Sequence, residues 1–357
     1  MHDPFLNPTV SVVIPTYNRA HLIRVSLTSI FEQTYRATQI IVVDDGSADE
    51  TRGEIESLLQ AHPYWKDKLL YIWQKNGGKS TALNAALECV TSDWIAFNDS
   101  DDCWKPEKLA LQLAALRRFP DCGACFTGAV HMTDGVETVS SFAESRIVLE
   151  RRVGRLQNAV SIAARLGHGI MMQSILVRSD IMKAVGPFDP TMRVAQDVDF
   201  IFRLSLNTPL CYVRRPLVAM DRPRDRKVGL TTEFGMLSVK RLELREKMVA
   251  KWRNLIADQP PEIASLVERR LQDTLSALAN RLAESGERAK ATEALDRALA
   301  VRFSWRLFFK RSMIRFGFVG MLRWYVDASR SPIRLGLLRW PGLKEAIGTG
   351  QRALPHR

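Results

Sequence analysis

Over its first 130 residues this chain alternates short β-branched runs with helical patterns, and that alternation limits its fold more than anything else in the sequence. Residues 10–14, 39–43, 69–73, 94–97 and 123–130 read as strands, and 20–33, 49–60, 78–89 and 106–119 read as helices between them. Strand-helix alternation at this spacing predicts a mostly parallel sheet covered on both faces. Ligands of such sheets bind beyond the carboxyl ends of the strands. Those ends are unusually polar here: Thr16-Tyr17-Asn18, Asp44-Asp45-Gly46-Ser47 and Asp99-Ser100-Asp101-Asp102.

With 357 residues, 46% hydrophobic and 25% charged, the chain is long enough for one large domain or two, and disorder throughout is excluded. Its net charge of +12 is concentrated at one end, because residues 301–357 hold twelve Lys and Arg against Asp327 and Glu345. The main body is close to neutral, which argues against nucleic acid as its partner. Five cysteines make neither a disulfide framework nor a paired zinc pattern. A strand-like run begins almost at once with no signal-peptide pattern before it, and no apolar stretch approaches the roughly 18 residues of a spanning helix, so the expected location is cytoplasmic.

Residues 131–230 are less regular, with an expected strand at 171–177, a turn at Gly186-Pro-Phe-Asp-Pro190 and a helix at 197–206. They read as the second half of one domain spanning 1–230. From 231 to 300 the pattern is helical, and Gly286 separates two amphipathic runs over 277–300 as in a helical hairpin. Residues 301–357 form a basic amphipathic tail. Arg302, Arg306 and Lys310 recur every four residues and are expected on one helix face beside Phe303, Trp305, Leu307, Phe308, Phe309, Ile314 and Phe316. Such a helix suits an anionic membrane surface, with Trp305, Trp324 and Trp340 at the interface, or packing on the main domain; nucleic acid is a third and weaker partner, because the aromatic content exceeds what phosphate binding requires.

The carboxylates of two clusters, Asp44-Asp45 and Asp99-Ser100-Asp101-Asp102, share one sheet edge and call for a cation there. Hard oxygen donors at this spacing suit Mg²⁺ or Mn²⁺ with positions left for substrate phosphates, although each cluster also suits a solvated, helix-capping turn. The segment Gly78-Lys79-Ser80 imitates the end of a P-loop, but Trp73 stands where the first glycine is required, which excludes that motif.

Taken in order, Ser11-Val-Val-Ile-Pro-Thr-Tyr-Asn-Arg19, Val42-Val-Asp-Asp-Gly-Ser47, Ala96-Phe-Asn-Asp-Ser-Asp-Asp-Cys-Trp104, Gly186-Pro-Phe-Asp189 and Gln196-Asp197 resemble family 2 glycosyltransferases of the GT-A fold over residues 8–228. The resemblance implies a Rossmann-like α/β domain with an all-helical basic extension. It also implies a metal-dependent, inverting transfer of one sugar from a nucleotide sugar, most often a UDP-sugar, to a saccharide or lipid-linked acceptor in cell-envelope glycan synthesis. It places Pro15, Thr16, Tyr17 and Asp44 around base and ribose, and Lys79 and Asn84 beside the donor. Asp99 and Asp101 fall on the donor side and Asp101 and Asp102 on Mn²⁺ or Mg²⁺, without dividing metal from ribose among the three. Asp197 falls at the catalytic base. Gln196 replaces the usual Glu, the Gln-x-x-Arg-Trp signature of polymerising members is absent, and the loop Asp221-Arg-Pro-Arg-Asp-Arg-Lys227 carries no His. Its Arg222, Arg224, Arg226 and Lys227 suit closure over a diphosphate or a solvated basic loop equally. A catalytically degenerate membrane scaffold and a nucleotidyltransferase are the competing readings; the second calls for a Gly-rich basic loop where Thr16-Tyr17-Asn18 stands.

Overall fold

The computed structural model describes residues 3–133, 136–145, 147–165, 170–221 and 238–317. Its first half follows the alternation closely: β1 (Val10–Thr16), α1 (Ala20–Phe31), β2 (Gln39–Asp44), α2 (Thr51–Ala61), β3 (Leu69–Trp73), α3 (Lys79–Glu88) and β4 (Trp94–Phe97). Then come β5 (Asp102–Trp104), α4 (Lys108–Arg118), β6 (Ala124–Thr133), β7 (Val136–Ser140), α5 (Ser141–Ser145), β8 (Val153–Arg155) and α6 (Ala159–Ala164). The sheet is completed by β9 (Ile175–Arg178) and β10 (Leu210–Asp221), with α7 (Ser179–Val185) and α8 (Gln196–Asn207) between them.

The strands form one sheet in the order β3-β2-β1-β4-β9-β6-β10-β5, with β7 on β6 and β8 on β10. The chain winds outward from β1 through β2 to β3, then returns to place β4 on the other side of β1, and all three of these pairings are parallel. That reversal opens a crevice at the carboxyl ends of β1 and β4. Both faces of β1 are covered, so its residues are buried throughout. Strand alternation sends Val12 and Ile14 into one apolar layer with Ile23, Leu27 and Ile30 of α1, and Val13 into the opposite layer with Leu83 and Ala86 of α3.

Beyond β4 the sheet is mixed: β9 runs antiparallel to both β4 and β6, and β5 antiparallel to β10. The expected strand at 171–177 is shorter for a local reason. Met172–Ser174 is a 3₁₀ turn, in which the Ser174 hydroxyl donates to the Met171 carbonyl at 2.7 Å and the buried Gln173 turns toward β5.

After the sheet come α9 (Val239–Leu255), α10 (Pro261–Glu284), α11 (Arg288–Val301) and α12 (Trp305–Arg315). Ser238 caps α9, its hydroxyl accepting from the Arg241 N–H. The hairpin expected around Gly286 is present as α10 and α11, the glycine taking φ +86° between them. Met248, Val249 and Trp252 of α9, with Ile256 just after it, join the same apolar layer as α3 and α8. Among the described residues no helix is long and apolar enough to cross a membrane.

The expected basic face of the last helix is corrected by the structure. Arg302 lies before α12 in extended backbone, and Lys310 is buried, donating to the Ser276 carbonyl and hydroxyl at 2.8 and 2.7 Å. The inward side of α12 is set by Lys310 and Ile314 against α10 and α11, so the periodicity of charge alone misplaced it. Phe303, Trp305, Phe308, Phe309 and Phe316 are left exposed instead. The tail's remaining basic residues with Trp324 and Trp340, and the basic loop after Asp221, lie outside the described residues.

Candidate active site

The loop after β1 is stitched to the loop after β2 by main-chain and side-chain hydrogen bonds. Asn18 donates its N–H to the Ser47 hydroxyl and accepts from the Ala48 N–H, while the Arg19 N–H donates to the Thr51 hydroxyl. Asn18 adopts φ +51°, a conformation Asn tolerates better than most side chains. These bonds present Thr16 and Asp44, paired in register, at the crevice, with Pro15 buried just behind. The Thr16 hydroxyl is buried without a hydrogen-bond partner among the described residues, and Tyr17 is 48% exposed beside it. An unsatisfied buried hydroxyl costs folding free energy, which an incoming polar ligand can relieve.

Asp44 is buried, accepting from the Ser47 N–H and from the Tyr71 hydroxyl, each at 2.7 Å. Burial, reinforced by that hydrogen bond and the Asp44 charge, pushes the Tyr71 hydroxyl above its ordinary value. Asp45 instead organises backbone, its carboxylate accepting from the N–H groups of Gly77 and Gly78, each at 2.8 Å, and from the Gln74 amide. It thereby shapes the approach to α3, where Gly78 takes φ +94°. Gly46 is similarly constrained, since a side chain there would meet the Asn76 nitrogen at 2.9 Å.

Asp99, Asp101 and Asp102 each offer a carboxylate oxygen, and these oxygens all lie within 4.8 Å of one another. Three charges this close are tolerable because cations face them. Lys79, at the first turn of α3, pairs with Asp99, and Arg19 lies 3.9 Å from Asp101. Burial opposes charge on Lys79, but the Asp99 carboxylate, its hydrogen bond, and the fields of Asp197 and Asp101 outweigh it and raise the amine's pKa. Asp102 is fully buried and its Oδ2 accepts from the Gln173 amide at 2.7 Å. This all-oxygen donor set fits a hard divalent cation.

Asp197 stands half-buried in the first turn of α8, close enough for its charge to act on Lys79. Thr16, Tyr17, Asp44, Lys79, Asp99, Asp101, Asp102 and Asp197 are therefore disposed around one crevice. Asn84 is engaged differently: its amide donates to the Phe188 carbonyl at 2.9 Å and accepts from the Phe188 N–H at 2.8 Å, holding the Gly186-Pro-Phe-Asp turn. Gln196 is buried, and a Glu there would add a charge in the turn that already carries Asp197 and Asp199. Arg19 and Gln173 are absent from the residues expected at the site, and Asp45, expected among the carboxylates facing a cation, is turned to the backbone before α3 instead. Arg19 lies within a strand-end motif itself, whereas nothing in the sequence pattern marks Gln173.

The family model for glycosyl transferase family 2 matches residues 11–175. An uncharacterized glycosyltransferase, RP339, of Rickettsia prowazekii is 27% identical over 205 residues, 57% of this chain and 60% of that protein. Succinoglycan biosynthesis protein ExoW of Rhizobium meliloti is 36% identical over 154 residues, 40% of this chain and 47% of its own length. The chain thus spans less than two thirds of the length of these curated relatives. The crystal structure of S. aureus TarS 1-349 in complex with UDP-GlcNAc superposes with a TM-score of 0.65 at 17% identity, covering 90% of this chain and 92% of that one, a likeness of fold.

Proposed function

From a chain whose residues 11–175 belong to glycosyl transferase family 2, on a GT-A fold, we propose a metal-dependent, inverting glycosyltransferase that moves one sugar from a nucleotide sugar, a UDP-sugar first, to a saccharide or lipid-linked acceptor. The observation that carries this reading is the meeting, at one sheet crevice, of three carboxylates within 4.8 Å of one another with Lys79, Arg19 and an unsatisfied Thr16 hydroxyl. The names of ExoW and of the TarS complex support a role in cell-envelope polysaccharide synthesis and a UDP donor. Residues 1–230 are assigned to the catalytic domain, 231–300 to the helical extension and 301–357 to a tail that meets an anionic membrane surface on its cytoplasmic face.

In this mechanism Thr16, Tyr17 and Asp44 hold base and ribose, Tyr17 supplying an aromatic face and Asp44 an acceptor oxygen. Asp99, Asp101 and Asp102 would hold Mn²⁺ or Mg²⁺, which when bound neutralises charge on the departing diphosphate. Lys79 and Arg19 lie beside the same carboxylates and add fixed positive charge where the leaving group departs. Asp197 accepts the proton of the acceptor hydroxyl. As that oxygen forms its bond to the anomeric carbon, the bond to the phosphate oxygen breaks on the opposite side, and its electron pair leaves with the nucleoside diphosphate. Attack opposite the leaving group inverts the anomeric centre.

Thermal unfolding with UDP, GDP and dTDP, each with Mn²⁺ and with chelator, tests the reading. A ligand at 100 times its Kd stabilises the native state by about 2.7 kcal/mol, so one nucleotide should raise the Tm by several degrees and lose that effect with chelator. The Asp197→Asn chain should keep the shift and lose transfer. No shift with any nucleotide would move the reading to the degenerate scaffold.

A further inference from the structure

The turn that carries Asp197 is poorly secured by its own sequence. Ala195, which precedes α8, adopts φ +64°, left-handed backbone that a side-chain-bearing residue rarely takes, and it supplies no capping hydrogen bond. A helix start of this kind frays unless it is held from outside.

The hold comes from the helical extension. Trp252 of α9 is fully buried, stacked on Phe202 of α8 with ring centroids 4.0 Å apart and planes at 19°, and its indole N–H donates to Asp199 Oδ1 at 3.0 Å. Asp199 Oδ2 accepts from Arg203 Nε at 2.8 Å. Arg203 in turn donates to the carbonyls of Val185 and Gly186 at 2.7 and 3.2 Å. The neighbouring Lys251 pairs with Asp189 of the same turn, and Asn84 grips Phe188 between them. Two adjacent residues of α9 thus bind the first turn of α8 and the turn before it. A buried carboxylate persists only when its oxygens are satisfied, and half of that satisfaction for Asp199 comes from a residue 53 positions away.

We infer that Trp252 is a positioning residue for the transfer reaction: through Asp199 it fixes the first turn of α8 and so the carboxylate of Asp197. The inference rests on the reading of Asp197 as the base. It makes the extension a working part of the catalytic domain although Trp252 acts two residues away from the base.

The test uses the full chain and two variants, Trp252→Phe, which retains the stacked ring and loses the donor, and Asp199→Asn, which retains one acceptor oxygen and loses the charge. Amide hydrogen exchange is measured over residues 193–200, with turnover of UDP-, GDP- and dTDP-glucose in Mn²⁺. In Trp252→Phe, exchange in this segment should quicken about tenfold while the other strands and helices keep their protection. The kcat should fall by a similar factor at unchanged KM for the sugar nucleotide. Asp199→Asn should show the same pattern. Unchanged exchange at 193–200, or loosening spread evenly over the sheet, would overturn the inference and leave Trp252 a packing residue. Full turnover by Asp197→Asn would sink the base assignment separately, whatever the exchange shows.

Discussion

Lys108, at the start of α4, shows how far a single side chain can depart from its sequence character. It is fully buried, its Nζ 3.9 Å from the Trp104 ring centroid and 3.0 Å from the Gln112 oxygen that accepts from it. Burial lowers the amine's pKa to about 7. Folding therefore releases a proton at any pH between about 7 and the ordinary lysine value of 10.5, so this residue's contribution makes the protein more stable as pH rises through that window and is level below it. The gradient corresponds to a few kcal/mol, on the order of 1.4 kcal/mol for each unit of pKa depression. Lys108→Met should be more stable than the natural chain at pH 7 and lose that advantage by pH 10.5. Urea unfolding of both chains at pH 7, 8.5 and 10 reads the difference; parallel curves would show that Lys108 keeps its ordinary pKa. Asp44, Asp99, Asp101 and Asp102 stand out in the sequence because carboxylates at strand ends are conspicuous. The role of Asp45 in shaping the Gly77-Gly78 approach to α3 was not legible, because a buried acid bonded to backbone N–H groups has the same sequence appearance as a ligand.

Among the elements, α12 is the helix whose role its composition suggested and whose orientation it concealed. Phe303, Trp305, Phe308 and Phe309 touch one another as an exposed aromatic cluster, centroids 5.0 to 6.4 Å apart, with exposed Arg302, Arg306 and Arg315 nearby. Residues 301–317 contain no acid. Rings of this kind suit the interfacial layer of a bilayer, and the arginines suit its anionic head groups. The chain should co-sediment with phosphatidylglycerol vesicles. Trp305→Ala with Phe309→Ala should weaken that binding at least tenfold, since each buried aromatic side chain contributes about 1.5–3 kcal/mol. Binding unchanged by these substitutions and abolished by salt would assign it to charge alone. The Gly286 hairpin was legible because glycine at a helix end has a local cause. The inward turn of Lys310 was not, because it depends on Ser276, 34 residues earlier, and on burial that lowers the amine to about 8.

For the molecule as a unit, the sheet and the helical segment share one apolar layer, in which Met248, Val249, Trp252 and Ile256 lie with Phe200, Phe202 and Leu204. A chain ending at residue 237 would expose that surface. It should melt more than 10 °C below the full chain and bind a hydrophobic dye, as calorimetry and fluorescence would show. An equally stable fragment would mean that the extension is only an appendage.

The parallel half of the sheet, the strand-end carboxylates and the helical character of the extension follow from the sequence alone, because hydrophobic period, turn chemistry and motif spacing are properties of neighbouring residues. The partners those residues meet are fixed only when the chain is folded. Gln173 reaches Asp102 across 71 residues and Trp252 reaches Asp199 across 53. The antiparallel turn of β9 likewise belongs to the assembled sheet. Such contacts arise when distant elements share one dry layer, where an unsatisfied polar group is costly and each must find a partner the local pattern does not name.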